Sequence, residues 1–527
     1  MSLEYKTNQS KTVWSGQLTE YPEKEAIATD LEDLVRIVTD AEAEALGVKP
    51  FGSLWSFTDI ALSRDVMVDM RKFNRVLSFK KPFDGQENPP FIESIMQSER
   101  QFIHFEAGMT MKELVRTLTG SRAAMPTAGG GADGQTIGGM LGTASHGSYL
   151  NRGTLANWIR AIHLIGPGGQ QFWIEKSAPH HLTTDETLRN VQGWSEDLKP
   201  VRDDDLFNAV VASFGRIGII YSLVLEVVEH YHLRSKRIIR NWDDLQANFL
   251  GRGIDVLVRE MERGLGFNNG LFLLDMTTLL DDQSPHCFIE GREIISDDTL
   301  VPKNDPSSFI RNDVFWHHSD WWGILNGDPA EIGHRMNGAP EYRIKEITEY
   351  VFGVFFREDE HQGPWWYVMW GGDPGIRVHS ANYAFDAQRP DFIRFAQEVR
   401  RLGRQPYTPG NLTLRFQRKT PVFLATQRYE ETVHIEIAAP VGYGPSESFM
   451  SNVDRLAREY NGVPHWGQRH SISSKEVRSI YGKDYRKWIK ALRSLSRYGR
   501  IRTFSNNFTR ARGLEPYTMD SLLFMST

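Results

Sequence analysis

Residues 135–153 read QTIGGMLGTASHGSYLNRG, and this stretch decides how the chain is understood. Five of its nineteen residues are glycine, crowded with other small residues around a single His146-Gly147 pair. Glycine lacks a Cβ, so its amides can run close against a large flat ligand or a pyrophosphate and can adopt positive φ. The spacing differs from the common nucleotide loops. No Gly-x-Gly-x-x-Gly opens a helix after a strand, and no Lys-Ser or Lys-Thr follows a glycine loop, which excludes a Rossmann or P-loop site. Taken singly, Gly138-Gly139 or residues 129–131 would fit an ordinary turn. The order of the pieces around them carries more weight.

Length and composition bound the answer. At 527 residues the chain is too long for one core and reads as two or more domains, with the 40% apolar and 24% charged shares of a globular protein. A net charge of −6 gives no basic excess for nucleic acid or an anionic membrane surface, so neither is expected as a partner. The sole cysteine, Cys287, excludes an internal disulfide and a Cys-rich metal site. His317, His318 and His334 with Asp320 and Asp328 match no zinc spacing, and no metal is expected. No apolar leader and no long uncharged apolar run occurs, so a cytoplasmic location is the expectation.

Local signals place the motifs. Residues 29–47 read as a helix, with a Thr29/Glu32 capping box, an apolar stripe from Leu31 to Ala45, and Gly47 as its stop. A glycine loop at Gly52 follows a short strand. Thr110 and Glu113 form a second capping box after a strand at Ile103 to Phe105. Past Glu229 the chain becomes richer in aromatics. There residues 349–356 and 432–440 read as strands and 389–402 as a helix. The sum is an α+β protein.

Four segments in order resemble the vanillyl-alcohol oxidase/p-cresol methylhydroxylase superfamily of FAD enzymes. KPFGSLWSFT (49–58) is similar to its Pro-x-Gly-x-Gly-His-Ser pyrophosphate loop, FEAGMTMKEL (105–114) to its Ala-Gly-x-Thr step, residues 135–153 to its second FAD-contacting segment, and FGRIGIIYSLVLEV (214–227) to the strand closing the FAD domain. DVMVDMRKFNRVL (65–77) is similar to a strand and turn between the first two. The resemblance implies FAD contacts from Gly52, Ser53, Leu54, Trp55, Ser56 and Phe57, from Thr136, Gly138, Gly139, Thr143, Ser145, His146 and Gly147, and from Ile219 and Asn506. It also implies a two-subdomain, PCMH-type FAD-binding domain over 1–230, an α+β substrate (cap) domain with a large antiparallel sheet over 231–483, and a return to the FAD domain over 484–527.

Within the second domain, VPHWGQRHSI (463–472) resembles the Pro-His-Trp-Gly-Lys motif of the sugar-lactone and alditol oxidases, and HIEIAAP (434–440) resembles their Glu-bearing strand beside the flavin. Oxidising a CH–OH group needs an acceptor for the hydroxyl proton, a hydride acceptor and groups to steady the oxygen. Glu436 and His465 are the candidate catalytic pair, with Arg415, Trp466 and Gln468 as substrate contacts and O2 or another acceptor as the electron sink. Two departures shape the expectation. Trp55 stands where many members carry the histidine that bonds the flavin, with Leu54 where glycine is usual, so FAD is expected to be noncovalent. Gln468 replaces the motif's lysine and Ala438 an arginine, which removes two cations. With Trp365, Trp366 and Trp370 these losses point to an alcohol larger or less polar than a sugar lactone. The alternatives are a sugar-lactone or alditol oxidase or dehydrogenase, a biosynthetic flavin enzyme, or a flavin-binding protein without chemistry.

Overall fold

The computed structural model describes residues 3–80, 90–129, 134–303, 322–369 and 375–516. The first unit is built by one amphipathic helix. Leu34, Ile37, Val38 and Ala41 line the buried face of Leu31–Ala43, and their spacing carries the chain from the strand Lys24–Ile27 back to Val48–Phe51. Val66–Asp69 lies parallel to both and between them, and Glu4–Lys6 closes one edge antiparallel. The helix begins one residue later than the sequence predicts. Asp30 is the cap, accepting from Asp33 N, while Thr29 bonds the Asp33 carboxylate instead of pairing with Glu32. It also ends earlier, at Ala43, where Ala45 rather than Gly47 takes the left-handed turn (φ 65°).

Seven strands form the second sheet. Gln101–Glu106, Ile219–Glu229 and Ile159–Ile165 are its middle, all antiparallel, and the predicted Thr110/Glu113 box starts the helix Met111–Thr119 just beyond Gln101–Glu106. An eight-stranded sheet runs in the order Asp359–Pro364, His232–Asn241, His286–Ile295, Leu273–Leu279, Asn411–Arg418, Glu431–Pro440, Val378–Asp386 and Val463–Pro464. Residues 349–356 do not form a strand. They end the helix Glu341–Phe355, because Ile344, Ile347, Val351 and Phe355 repeat at helical spacing, which a short apolar window cannot reveal.

The eight-stranded sheet sets the site through a period of two. Val433, Ile435, Ile437 and Ala439, with Leu412, Leu414, Phe416, Ala381, Tyr383 and Phe385, enter a core completed by Phe395 and Val399 of Asp391–Arg404 and Phe449 and Val453 of Gly444–Glu459. The alternate residues, His434, Glu436, Ala438, Thr413, Arg415, Ser380 and Asn382, therefore point the other way, toward the FAD-type loops.

The chain's last described part ties the layers together. The helix Ser474–Ser496 bends at Gly482, and the Trp488 indole N–H is shared by the Ala209 and Ala212 carbonyls at 3.1 Å each. Asn506, expected to touch the cofactor, is instead a tether. Its side-chain oxygen caps Asn507–Ala511, and its amide donates to the carbonyls of Asp59, Ile60 and Leu62 at 3.3, 3.1 and 2.8 Å. Asn506→Ala removes the cap and strips three carbonyls of their donor. The expected loss is about 2–4 kcal/mol, seen as a lower urea midpoint at unchanged slope.

Candidate active site

One cavity of about 580 Å3 lies between the glycine loops and the outward face of the eight-stranded sheet. Gly52, Ser53, Leu54, Trp55, Ser56 and Phe57 line it with Thr136, Gly138, Gly139, Thr143, Ser145 and His146. On the facing side stand Ser380, Asn382, Asn411, Arg415, Glu436, Ala438, His465, Gly467 and Gln468. The two sides are sewn together by backbone: Phe57 N donates to Gly467 O (2.6 Å), and the Thr58 hydroxyl to Trp466 O (3.1 Å). Ser148, two residues past His146, donates to Leu274 O and accepts from Phe416 N.

The loops fit a flat cofactor closely held by backbone. A Cβ on Gly52 would sit 2.0 Å from Thr136 Oγ1, and one on Gly138 would sit 2.9 Å from Ala107 O, so neither position admits a side chain. Of the seven non-glycine residues at positive φ among the described residues, three, Leu54 (55°), Ala144 (55°) and Phe214 (55°), lie in or beside this wall. Leu54 thus keeps the turn that glycine usually provides there, at a strain cost of about 1–3 kcal/mol. Trp55 stacks on Trp14 (5.1 Å, 23°) and lines the cavity. Its indole offers no nucleophile of the imidazole kind. Lys49, fully buried at the loop's root, donates to Phe214 O at 2.6 Å, and burial with the nearby Arg216 charge pulls its ammonium down to about 7.

Facing the loops is a half-buried ion pair. Glu431–Pro440 places Glu436 one strand from Arg415, whose guanidinium bonds the Glu436 carboxylate and lies 3.6 Å from Asp275. Each side chain of the pair is 22% accessible, and both line the cavity. Burial by itself would raise the Glu436 carboxyl, but Arg415 and the Gln468 amide (3.3 Å) outweigh it and hold it below the ordinary carboxylate range. Asp275 goes the opposite way, raised by burial despite Arg415. Ser380 completes the set, reaching Gln468 and, at 3.4 Å, Glu436.

Three histidines border this pair, all neutral. His146 stacks on His434 (3.6 Å, 20°), donates through Nδ1 to Gly147 O (3.0 Å) and accepts at Nε2 from Asn382 (3.1 Å). Burial pushes it down to about 4, His465 to about 3 and His434 well below the usual imidazole range. The Nδ1 of His465 accepts from Gly467 N (3.2 Å), and the ring also bonds the Ala144 backbone, so both its edges serve the two loops.

Other candidates fall outside the cavity wall. Trp466 is 1% exposed, packs against Phe214 and Tyr481, and donates its N–H to Leu424 O, so it supports the loop instead of meeting substrate. Ile219 is buried in the core behind the wall, and its neighbours Gly218 and Ile220 take the lining positions. Gly147 is pressed against Ala128 O and the Tyr149 ring, not toward the cavity. Trp365 is fully buried beside Tyr231 and Trp366 is at the surface, so neither supplies an apolar substrate contact; Trp370 lies outside the described residues. Asp328 caps a turn and His334 is exposed beside Glu331, while His317, His318 and Asp320 lie outside the described residues; among those described, no group of metal ligands forms. Asn382, Ser380, Asn411 and His434 were not anticipated. His434 carried a signal, since it precedes Glu436 by two residues in a strand and must share its face.

Comparison with known proteins agrees with this architecture. Residues 22–175 match the family of FAD binding domains, and residues 397–510 match the D-arabinono-1,4-lactone oxidase family. A putative D-arabinono-1,4-lactone oxidase of Neurospora crassa is 22% identical, over 98% of this chain and 88% of that protein. An L-gulono-1,4-lactone dehydrogenase of Mycobacterium tuberculosis is 22% identical, over 94% and 97%. The crystal structure of cholesterol oxidase from B. sterolicum superposes with a TM-score of 0.68 at 12% identity, covering 97% of each chain, which is a likeness of fold. An FAD-binding domain over residues 22–175 and a match to the lactone-oxidase family over residues 397–510, in a fold shared with that oxidase, make the chain an FAD-dependent oxidoreductase of the oxidase or dehydrogenase type.

Proposed function

We propose that this protein oxidises a ring or chain CH–OH carbon of a polyhydroxylated substrate of the sugar-lactone kind. The observation that carries the reading is the Arg415–Glu436 pair, with Gln468, opening into the same cavity as the glycine loops. This changes the substrate expectation drawn from Gln468 and Ala438. A cation is present after all, supplied by Arg415 from the adjacent strand, and the lactone names of the relatives point the same way. We assign 1–230 and 484–527 to FAD binding and 231–483 to the substrate, a division supported by where the three larger sheets fall.

Bound FAD supplies the hydride acceptor. Glu436 accepts the substrate hydroxyl's hydrogen bond and takes its proton as the C–H hydride departs and the C=O bond forms. A low carboxyl pKa suits this task, because a hydroxyl losing hydride from its carbon becomes strongly acidic. Arg415 steadies the substrate oxygen while keeping Glu436 ionised, and Gln468 and Ser380 fix the carboxylate's orientation. His146 stays neutral, shaping the loop through Asn382 and Gly147 without adding a competing charge. Neighbouring His465 holds the Gly467 turn in place.

Glu436→Gln keeps the shape and removes the proton acceptor. Anaerobic reduction of the flavin by a substrate found in a screen of aldonolactones, sugars, alditols, sterols and aromatic alcohols should slow by roughly 10²- to 10⁴-fold, and an unchanged rate would demote Glu436 to packing. Because Trp55 stands at the covalent position, acid precipitation should release all of the FAD into the supernatant. Flavin left in the pellet would instead locate a link at another residue.

A further inference from the structure

Polar groups are unevenly spread around the cavity. Among its described lining residues, carboxylate, ammonium and guanidinium groups are confined to Lys49, beside the glycine loops, and to Arg415 and Glu436 on the sheet. Along Glu431–Pro440 the cavity-facing positions run from His434 through Glu436 and Ala438 to Pro440, and their partners run from Ala384 through Asn382 and Ser380 to Val378. Four residues advance a strand by about 13 Å, so within that distance of Glu436 the same sheet face turns from ionic to apolar.

Beyond Val378 and Pro440 the wall is helical. Glu341–Phe355 carries one apolar stripe that serves two purposes: Ile344 and Ile347 bury against Met336, Tyr407 and Tyr443, while Ile347, Val351 and Phe352 reach the cavity. Leu325, Ile332 and Met336, from the two short helices before it, extend the same surface. Thr348, the one polar side chain this helix turns inward, donates its hydroxyl to Ile344 O at 2.8 Å, within its own helix. A free polyol laid here would leave its hydroxyls without partners, whereas methylenes would be removed from water.

We propose that the wall of Met336, Ile347, Val351, Phe352 and Val378 holds an alkyl or aryl substituent carried by the substrate, on the side of a polyhydroxylated head away from the Arg415–Glu436 pair. The inference rests on the preceding reading of that head, and it narrows the substrate class to a substituted sugar or lactone. Reactions that attach an apolar group to a sugar hydroxyl or carboxyl are the class that must supply it.

The test needs no turnover. FAD-loaded protein is titrated anaerobically with methyl, propyl and hexyl β-D-glucoside, and Kd is read from the perturbation of the flavin absorbance. Kd should fall by up to about fourfold for each methylene added, and Val351→Asn should flatten that dependence. A Kd independent of chain length in the wild-type protein overturns the proposal, as does the absence of any spectral change with hexyl glucoside. Flavin bleaching by unsubstituted aldonolactones is scored separately. If lactones bleach the flavin while the glucoside series is flat, the wall is not a substrate subsite and the lactone reading stands. If no lactone or sugar reduces the flavin while the series is steep, the apolar subsite stands and the assignment of its head falls.

Discussion

Arg415 and Glu436 form an ion pair that the rest of the site is built to sustain. Taking two charges out of bulk water costs several kcal/mol per ion, and removing one partner from such a pair commonly costs 3–5 kcal/mol. The cost is offset only by close geometry, by the hydrogen bonds that Gln468 and Ser380 bring to Glu436, and by the Asp275 carboxylate 3.6 Å from Arg415. The neutral histidines fit the same requirement. A protonated His146 or His434 beside Arg415 would set like charges against each other in a poorly hydrated pocket, and burial prevents this.

The pair is useful only if it faces the cofactor loops at a fixed separation, and the seam between the two halves supplies that. Phe57 and Thr58 hold the loop carrying Trp466 and Gly467, Ser148 holds two strands of the large sheet, and Asn506 holds the turn after the first FAD-type loop. Backbone strain gathers where this seam meets the cavity. Leu54 and Phe214 are held left-handed without the benefit of glycine, a cost that persists only where surrounding contacts over-determine the conformation.

Much of the fold was legible in the sequence because its signals are local. Glycine crowding around His146, the Thr110/Glu113 box and the strand of HIEIAAP each depend on residues within a few positions of one another. What was missed depends on register or on tertiary context. Arg415 reads as an even choice between surface and site until Asn411–Arg418 is known to pair with Glu431–Pro440, and a single sequence does not carry that pairing. The losses at Gln468 and Ala438 were visible, but their replacement from a neighbouring strand was not. The tryptophans at 365 and 366 suggested an apolar pocket by composition. The apolar wall instead comes from Glu341–Phe355, whose last seven residues, with Phe356, look like a strand when read alone.

The central claim is that Arg415 keeps Glu436 ionised to receive the substrate's proton. It is tested most directly by the pH dependence of anaerobic flavin reduction in the wild-type protein and in Arg415→Gln. Glu436 works only as the carboxylate, so the rate falls as pH drops through its pKa. With Arg415 present that pKa lies below the ordinary carboxylate range, and the wild-type acid limb should lie there too. Without Arg415, burial is left less opposed and raises the pKa, so the limb should move to higher pH. An acid limb at the same pH in both proteins would contradict the account.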